Sequence, residues 1–516
     1  MRNKYLYITL LAILGITPEM MAQNKIQYAP RLVVNITIDQ LRADYLEAFS
    51  PLYGTEGFKK LLQQGLVFYN SGYPFSPIDR ASATASVATG TTPYYHSIVG
   101  EKWLNRETLR PVYCTGAEQK PDELITSTIG DELKVATEGK AKVFSIAPFD
   151  DAAILSAGHA ADAAFWIDNK SGLWCSSVYY TAQQPVWLQS YNSTRSPARD
   201  DSKQSWEPVL ELSGKFNYFQ HSENAQKPFK HKFSGSDRFM QLKTSGLVNS
   251  FVTDMAQRCV SQEAMGSDRV TDYLAVNYYA GTFNQRPVSE CQIELQDTYV
   301  RLDRELASLI TALQKSVGEE HVLFVLTSTG YSNAEGADYE KYRIPTGTFY
   351  MNRSANLLNM YLSAVWGQGR YIESCYHNQI FLNQKLLESK RISLTDACQR
   401  SQEFLTQLVG IRNVYSSLQL LTSTSEQIQK VRNGYNPTRC GDILIEVSPG
   451  WKLYNEDNQD NQLSRASFIQ FPIIFYGAGT KAERINEHVT IDRIAPTIAK
   501  AIRIRAPNAC PAEPLY

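Results

Sequence analysis

The residues best placed for chemistry in this chain sit at the ends of two apolar runs. "RLVVNITID" closes on a carboxylate, Asp39, and "HVLFVLTSTGY" closes on Thr-Ser-Thr-Gly. Ligands in open α/β sheets lie beyond the carboxyl ends of the strands, so these are the places to hold a metal or move a proton. Asp39 can do either; Thr329 and Gly330 can do neither. A second group is Ser82, Thr84 and Ser86 in "DRASATASVATG", where Ser82 and Ser86 share a helical face. A nucleophilic serine needs a base within hydrogen-bond reach. No G-x-S-x-G elbow frames these hydroxyls, and the nearest imidazole in sequence is His96, in "PYYHS". They read as helix-capping and packing residues. The seven histidines are at 96, 159, 221, 231, 321, 377 and 488, none in a D-x-x-x-H or Asp-His context.

Elements that would position these groups follow from hydrophobic patterning. Strands are expected at 31–39, 141–149, 272–280, 321–329 and 471–477, with "GFKKLLQQGLVFYN" a helix running into a further strand. In "DTYVRLDRELASLITALQKSVG" the residues Tyr299, Leu302, Leu306, Leu309, Ile310 and Leu313 fall on one helical face. Strands alternating with helices predict a doubly wound, mostly parallel α/β sheet covered on both faces. Two stretches break the rhythm and read as insertions: a Trp- and Tyr-rich cap at about 170–240 and a second subdomain at about 336–440.

Charge is balanced, with 51 Lys and Arg against 52 Asp and Glu among 516 residues, which gives no electrostatic argument for nucleic acid. The basic, aromatic stretch "KFNYFQHSENAQKPFKHKF" reads as a solvated loop. At the start, Arg2 and Lys4 precede an apolar run and Ala22, the layout of a signal peptide over residues 1–22 that is too short to span a bilayer. The expected mature chain, 23–516, is exported to the periplasm, the outer-membrane surface or the exterior. Its eight cysteines permit disulfides but form no zinc motif.

The segments "ITIDQLRADY", "TASVATGTTPYYHSIVG", "TIGDELK", "ILSAGHAADAAFWID", "DTYVRLDRELA" and "IAPTIAKAIRIRAPNAC" resemble the alkaline phosphatase superfamily, in its order and over nearly the whole chain. The branch resembled is that of exported bacterial phosphomonoesterases and type I phosphodiesterases/nucleotide pyrophosphatases. The resemblance implies an α/β sheet with inserted caps and a two-zinc centre that activates a Thr or Ser nucleophile. Carried over by position, the first metal ligand is Asp39, the nucleophile's place holds Arg80, and the remaining ligand places hold Thr282, Arg286, Thr329, Gly330 and Asn461. The places of phosphate-contacting Asn, Lys and Arg hold Glu101, Phe149 and Asp151. His159, in "AGHAADAAFW", belongs to the implied framework.

Alcohols, amides and guanidinium groups do not cage two dications. The expectation is therefore a chain without zinc or nucleophile, serving as a binding or envelope-assembly module. Its partner would be an envelope protein, a glycan or a small anion. Arg80, at a helix start, and Arg286 are the candidate anion-binding residues, with internal pairing to Asp39 the competing use. The alternative is a hydrolase of phosphate or sulfate esters with a rebuilt site.

Overall fold

Strand β1 (Leu32–Asp39) lies mid-sheet with every residue buried. Its period-two alternation splits the core: Leu32, Val34, Ile36 and Ile38 enter one apolar cluster and Val33 the other. Asp39 thus belongs, by parity, to the Val33 face. The computed structural model describes residues 29–200, 205–210, 228–332, 339, 342–456, 460–463 and 469–516. The expected leader at 1–22 and most of the 215–233 stretch lie outside these.

Around β1 the chain lays down β2 (Leu66–Gly72), α1 (Arg80–Thr89), β3 (Val143–Ile146), α2 (Asp150–Ala157), β4 (Ala163–Ile167), β5 (Trp174–Cys175), β6 (Asp272–Tyr279), α3 (Gln292–Val317), β7 (Val322–Ser328), β8 (Phe471–Gly477), β9 (Glu483–Ile485), β10 (Val489–Thr490) and α4 (Ile494–Ile502). The sheet order is β9–β2–β8–β7–β1–β6–β3–β4–β5, with β10 also on β2. Strands β7, β1, β6, β3 and β4 run parallel, whereas β8 is antiparallel to both its neighbours. Helix α3 covers one face through Leu302, Leu306, Leu309 and Ile310. Helices α1 and α4 cover the other through Ala83, Val87, Ile494 and Ile498. This is the doubly wound, mostly parallel fold that the patterning predicts.

In the first insertion, Trp174, Trp206, Leu188 and Tyr191 are buried in the larger core, so these side chains, three of them aromatic, pack inward. In the second, Gly347–Tyr350, Trp451–Asn455 and Asp460–Leu463 form one small sheet and Ile372–Tyr376, Gln379–Leu382, Ile443–Val447 and Ile411–Ser416 another. That subdomain runs past 440 and has its own core. Arg106 ties it to the main body by an ion pair with Asp442 at 3.0 Å. All eight cysteines are free thiols. Among the described residues no helix is long and apolar enough to cross a membrane.

Candidate active site

Asp39 and Thr329 meet because β1 and β7 run parallel in register, with Ile38 beside Ser328. Leu323 and Val325 of β7 lie in the same cluster as Val33, so two-residue alternation brings Thr329 to Asp39's face. The Thr329 hydroxyl donates to Asp39 Oδ1 at 2.9 Å and accepts from the Gln40 backbone N–H at 2.8 Å. Asp39 Oδ2 is buried and has no hydrogen-bond partner among the described residues. Burial raises the Asp39 pKa, against the opposing pull of Arg80, Thr329 and the nearby Tyr331 hydroxyl.

Arg80 is the first residue of α1, whose start is fixed by a capping box. Asp79 Oδ1 accepts from the Ser82 backbone N–H at 2.9 Å, and the Ser82 hydroxyl accepts from the Asp79 N–H at 3.1 Å. From there the Arg80 side chain reaches over the ends of β1 and β3. Its Nε–H is shared between both Asp151 oxygens at 3.0 Å, its Nη1 stands 3.8 Å from Asp39 Oδ2, and its guanidinium lies 3.9 Å above the Phe149 ring. Burial works against the Arg80 charge, but Asp151, Tyr331, Asp39 and Glu101 more than reverse it and hold its pKa raised. Glu101 is fixed by its backbone N–H donating to Asp79 Oδ2 at 2.6 Å. Burial, then Asp151, raises its own pKa.

The site is therefore a polarity-inverted one. Phe149, Asp151 and Glu101 do gather around Arg80, but they stack on it and neutralise it. Lys243, which sequence reasoning missed, joins them: its ammonium donates to Asn169 Oδ1 at 2.6 Å and lies 5.1 Å from the Phe149 ring. Burial lowers its pKa to about 8. Asp150, in the first turn of α2, adds another carboxylate whose pKa is raised by burial and by Asp151. The run "PFDDAA" after a strand was the available signal for this acidic helix start.

Thr282 and Arg286 lie together on the turn that follows β6. The Thr282 hydroxyl and the Nε and Nη2 of Arg286 are buried without hydrogen-bond partners among the described residues. The nearest carboxylate to Arg286 is Glu294, 3.7 Å from Nη2. Gly330 adopts φ +68, and a Cβ there would come within 2.5 Å of the Tyr73 ring, so this place serves the backbone rather than a ligand. Asn461 pairs with Tyr454 in the small sheet of the second subdomain.

The other candidates are accounted for within the framework. The Ser82 hydroxyl donates to Asp79 Oδ1 at 2.7 Å. The Thr84 hydroxyl is buried and unpartnered among the described residues. Ser86 Oγ lies 2.9 Å from His96 Nε2, while His96 Nδ1 accepts the Ile98 backbone N–H. With Nδ1 an acceptor, the proton of the neutral ring sits on Nε2 and points at Ser86, so this imidazole cannot draw the hydroxyl's proton. Burial lowers the His96 pKa to about 3. His159 contacts Asp131 Oδ2 at 3.0 Å and the Leu124 carbonyl at 2.8 Å, and its pKa is raised chiefly by Asp131.

These donors do not fit a two-zinc centre. Threonine, glycine and arginine occupy the ligand places, a guanidinium stands beside Asp39, and no three His, Cys, Asp or Glu among the described residues form a metal-holding group.

Comparison with known proteins supplies the family. The sequence profile of type I phosphodiesterase/nucleotide pyrophosphatase matches residues 33–470. The alkaline phosphatase PhoV of Synechococcus elongatus is 26% identical over 93% of this chain and 91% of its own. The alkaline phosphatase PafA of Elizabethkingia meningoseptica is 28% identical over 94% of both chains. The crystal structure of PafA superposes with a TM-score of 0.81, covering 94% of this chain and 98% of that one. These full-length likenesses to named phosphatases overturn the expectation of a non-catalytic binding or assembly module and favour the alternative, a hydrolase with a rebuilt site.

Proposed function

The chain belongs to the type I phosphodiesterase/nucleotide pyrophosphatase family, and from that premise we propose that it is an exported hydrolase of phosphate esters working through a rebuilt site without a dinuclear zinc centre. The observation that carries the chemistry is Asp39 Oδ2, a buried carboxylate oxygen with no hydrogen-bond partner among the described residues, at the mouth of the sheet. A carboxylate whose pKa is raised by burial is a stronger base than an ordinary one. In the proposed reaction a water attacks phosphorus and gives its proton to Asp39. The bond from phosphorus to the leaving oxygen breaks, and that oxygen takes a proton from solvent. Thr329 holds Asp39 Oδ1 and leaves Oδ2 to take the proton of the water. Export is supported by the Arg2, Lys4 and apolar-run layout.

The test is release of 4-nitrophenol by the purified chain from 4-nitrophenyl phosphate, its diester and 4-nitrophenyl sulfate, each with and without added zinc. Turnover of a phosphate ester is expected, with D39N lowering it by about 100-fold or more. Folded wild type that releases nothing from any ester, with or without zinc, overturns the reading.

A further inference from the structure

The turn after β6 carries a feature that catalysis by Asp39 does not use. Its backbone runs alongside the end of β1: the Ala280 N–H donates to the Asp39 carbonyl at 2.8 Å, and the Tyr279 hydroxyl donates to the Thr282 carbonyl at 2.8 Å. A Cβ on Gly281 would come within 2.6 Å of the Tyr279 hydroxyl and 2.8 Å of Gln40 Cδ, so a side chain there would have to displace both. On it stand Thr282, 2% exposed, and Arg286; among the described residues the Thr282 hydroxyl and Arg286 Nε and Nη2 have no hydrogen-bond partner.

Nε and Nη2 are one edge of a guanidinium, two parallel N–H groups that match two oxygens of a phosphate. Leaving buried donors unfilled is unfavourable, and such groups in a folded protein call for an explanation. Arg80 offers no equivalent edge, because its Nε is engaged by Asp151. Glu294 sits 3.7 Å from Arg286 Nη2 and is itself 2.7 Å from His231 Nε2. It orients the guanidinium without satisfying it.

We infer that Thr282 and Arg286 form a seat for the oxygens of a phosphoryl group on the turn that follows β6, where the guanidinium lies 5.1 Å from the Phe283 ring, an inference that rests on the hydrolase reading and names how its substrate is held. Arg286 supplies the two-pronged edge and Thr282 a single hydroxyl donor. Glu294 offsets part of the arginine charge, so recognition rests on the geometry of the fork more than on net charge.

Inorganic phosphate is the probe. Calorimetric titration of the wild-type chain is expected to saturate, and phosphate to raise its melting temperature. R286A should abolish saturation and raise KM for 4-nitrophenyl phosphate about tenfold or more. R286K should lose most of the same affinity, since an ammonium cannot offer two fixed parallel donors; T282V should lose less. The inference is overturned if wild type does not bind phosphate, a result that stands even if R286A fails to fold, or if R286A binds it as tightly. Phosphate binding without ester turnover keeps the seat and removes the hydrolase reading. Turnover indifferent to R286A keeps the hydrolase and removes the seat.

Discussion

Helix α1 carries two polar clusters at its two ends, and they invite opposite readings. Toward its end Ser86 and His96 make a hydroxyl–imidazole pair at 2.9 Å, the pairing that usually announces a nucleophile. At its start Arg80 sits where nothing in its own chemistry can attack phosphorus. Yet the Ser86–His96 pair is closed: both ring nitrogens have partners, both residues are fully buried, and the proton is on the wrong atom. At the cluster around Arg80 and on the turn after β6 the hydrogen bonding is incomplete, with buried polar atoms of Asp39, Thr282 and Arg286 that have no hydrogen-bond partner among the described residues. Satisfaction of hydrogen bonds separates these two sites better than residue type does.

Four measurements would break or sharpen this contrast. The largest effect belongs to acid. His96 is held neutral by burial, with a pKa of about 3 against an ordinary 6.5. The unfolded chain therefore takes up a proton that the folded chain refuses, and stability falls as pH drops below 6.5 toward 3. The full loss is about 5 kcal/mol, read from urea midpoints across pH, with H96Q flattening the slope. An unchanged slope in H96Q would mean that the imidazole is not closed off.

Next, R80A strips a buried cation from Asp151 and Asp39 and should lower unfolding free energy by about 3–5 kcal/mol. A loss under about 1 kcal/mol would show these carboxylates to be well solvated. S86A leaves the His96 Nε2–H without its acceptor and should cost about 1–3 kcal/mol. The smallest change is expected from T282V, which removes a hydroxyl that has no partner among the described residues. Its stability should stay within about 1 kcal/mol of wild type or rise. If S86A and T282V cost the same, the division into closed and incomplete sites fails.

Much of this was legible from the chain itself. Runs of apolar residues with helical stretches between them locate β1, β6, β7, β8 and α3, because burial on both sheet faces leaves no room for polar interruptions. Asp39 was found for the same reason, as the carboxylate on which such a run closes. The resemblance placed Arg80, Phe149, Asp151 and Glu101 near one another, but it could not tell that the ring stacks on Arg80 and the carboxylates offset its charge. Asp151 lies 71 residues from its partner, and choosing between Asp39 and Asp151 takes atomic distances. Lys243 escaped notice because a lysine amid "QLKTSG" looks like a surface residue; its burial is a property of the fold. The unfilled edge of Arg286 was illegible too, since the lack of a partner leaves no trace in sequence.

The arrangement of β8 has a consequence for assembly. Among the described residues strand β2, Leu66–Gly72, pairs only with β8, β9 and β10, all contributed by the final stretch of the polypeptide from Phe471 onward. During synthesis, then, an apolar ribbon made early must wait, both edges bare, until some 400 further residues have been joined. Bare edges recruit other chains. Any product ending before Phe471 would strand that ribbon permanently, so premature termination should yield inclusion bodies rather than a shortened soluble form.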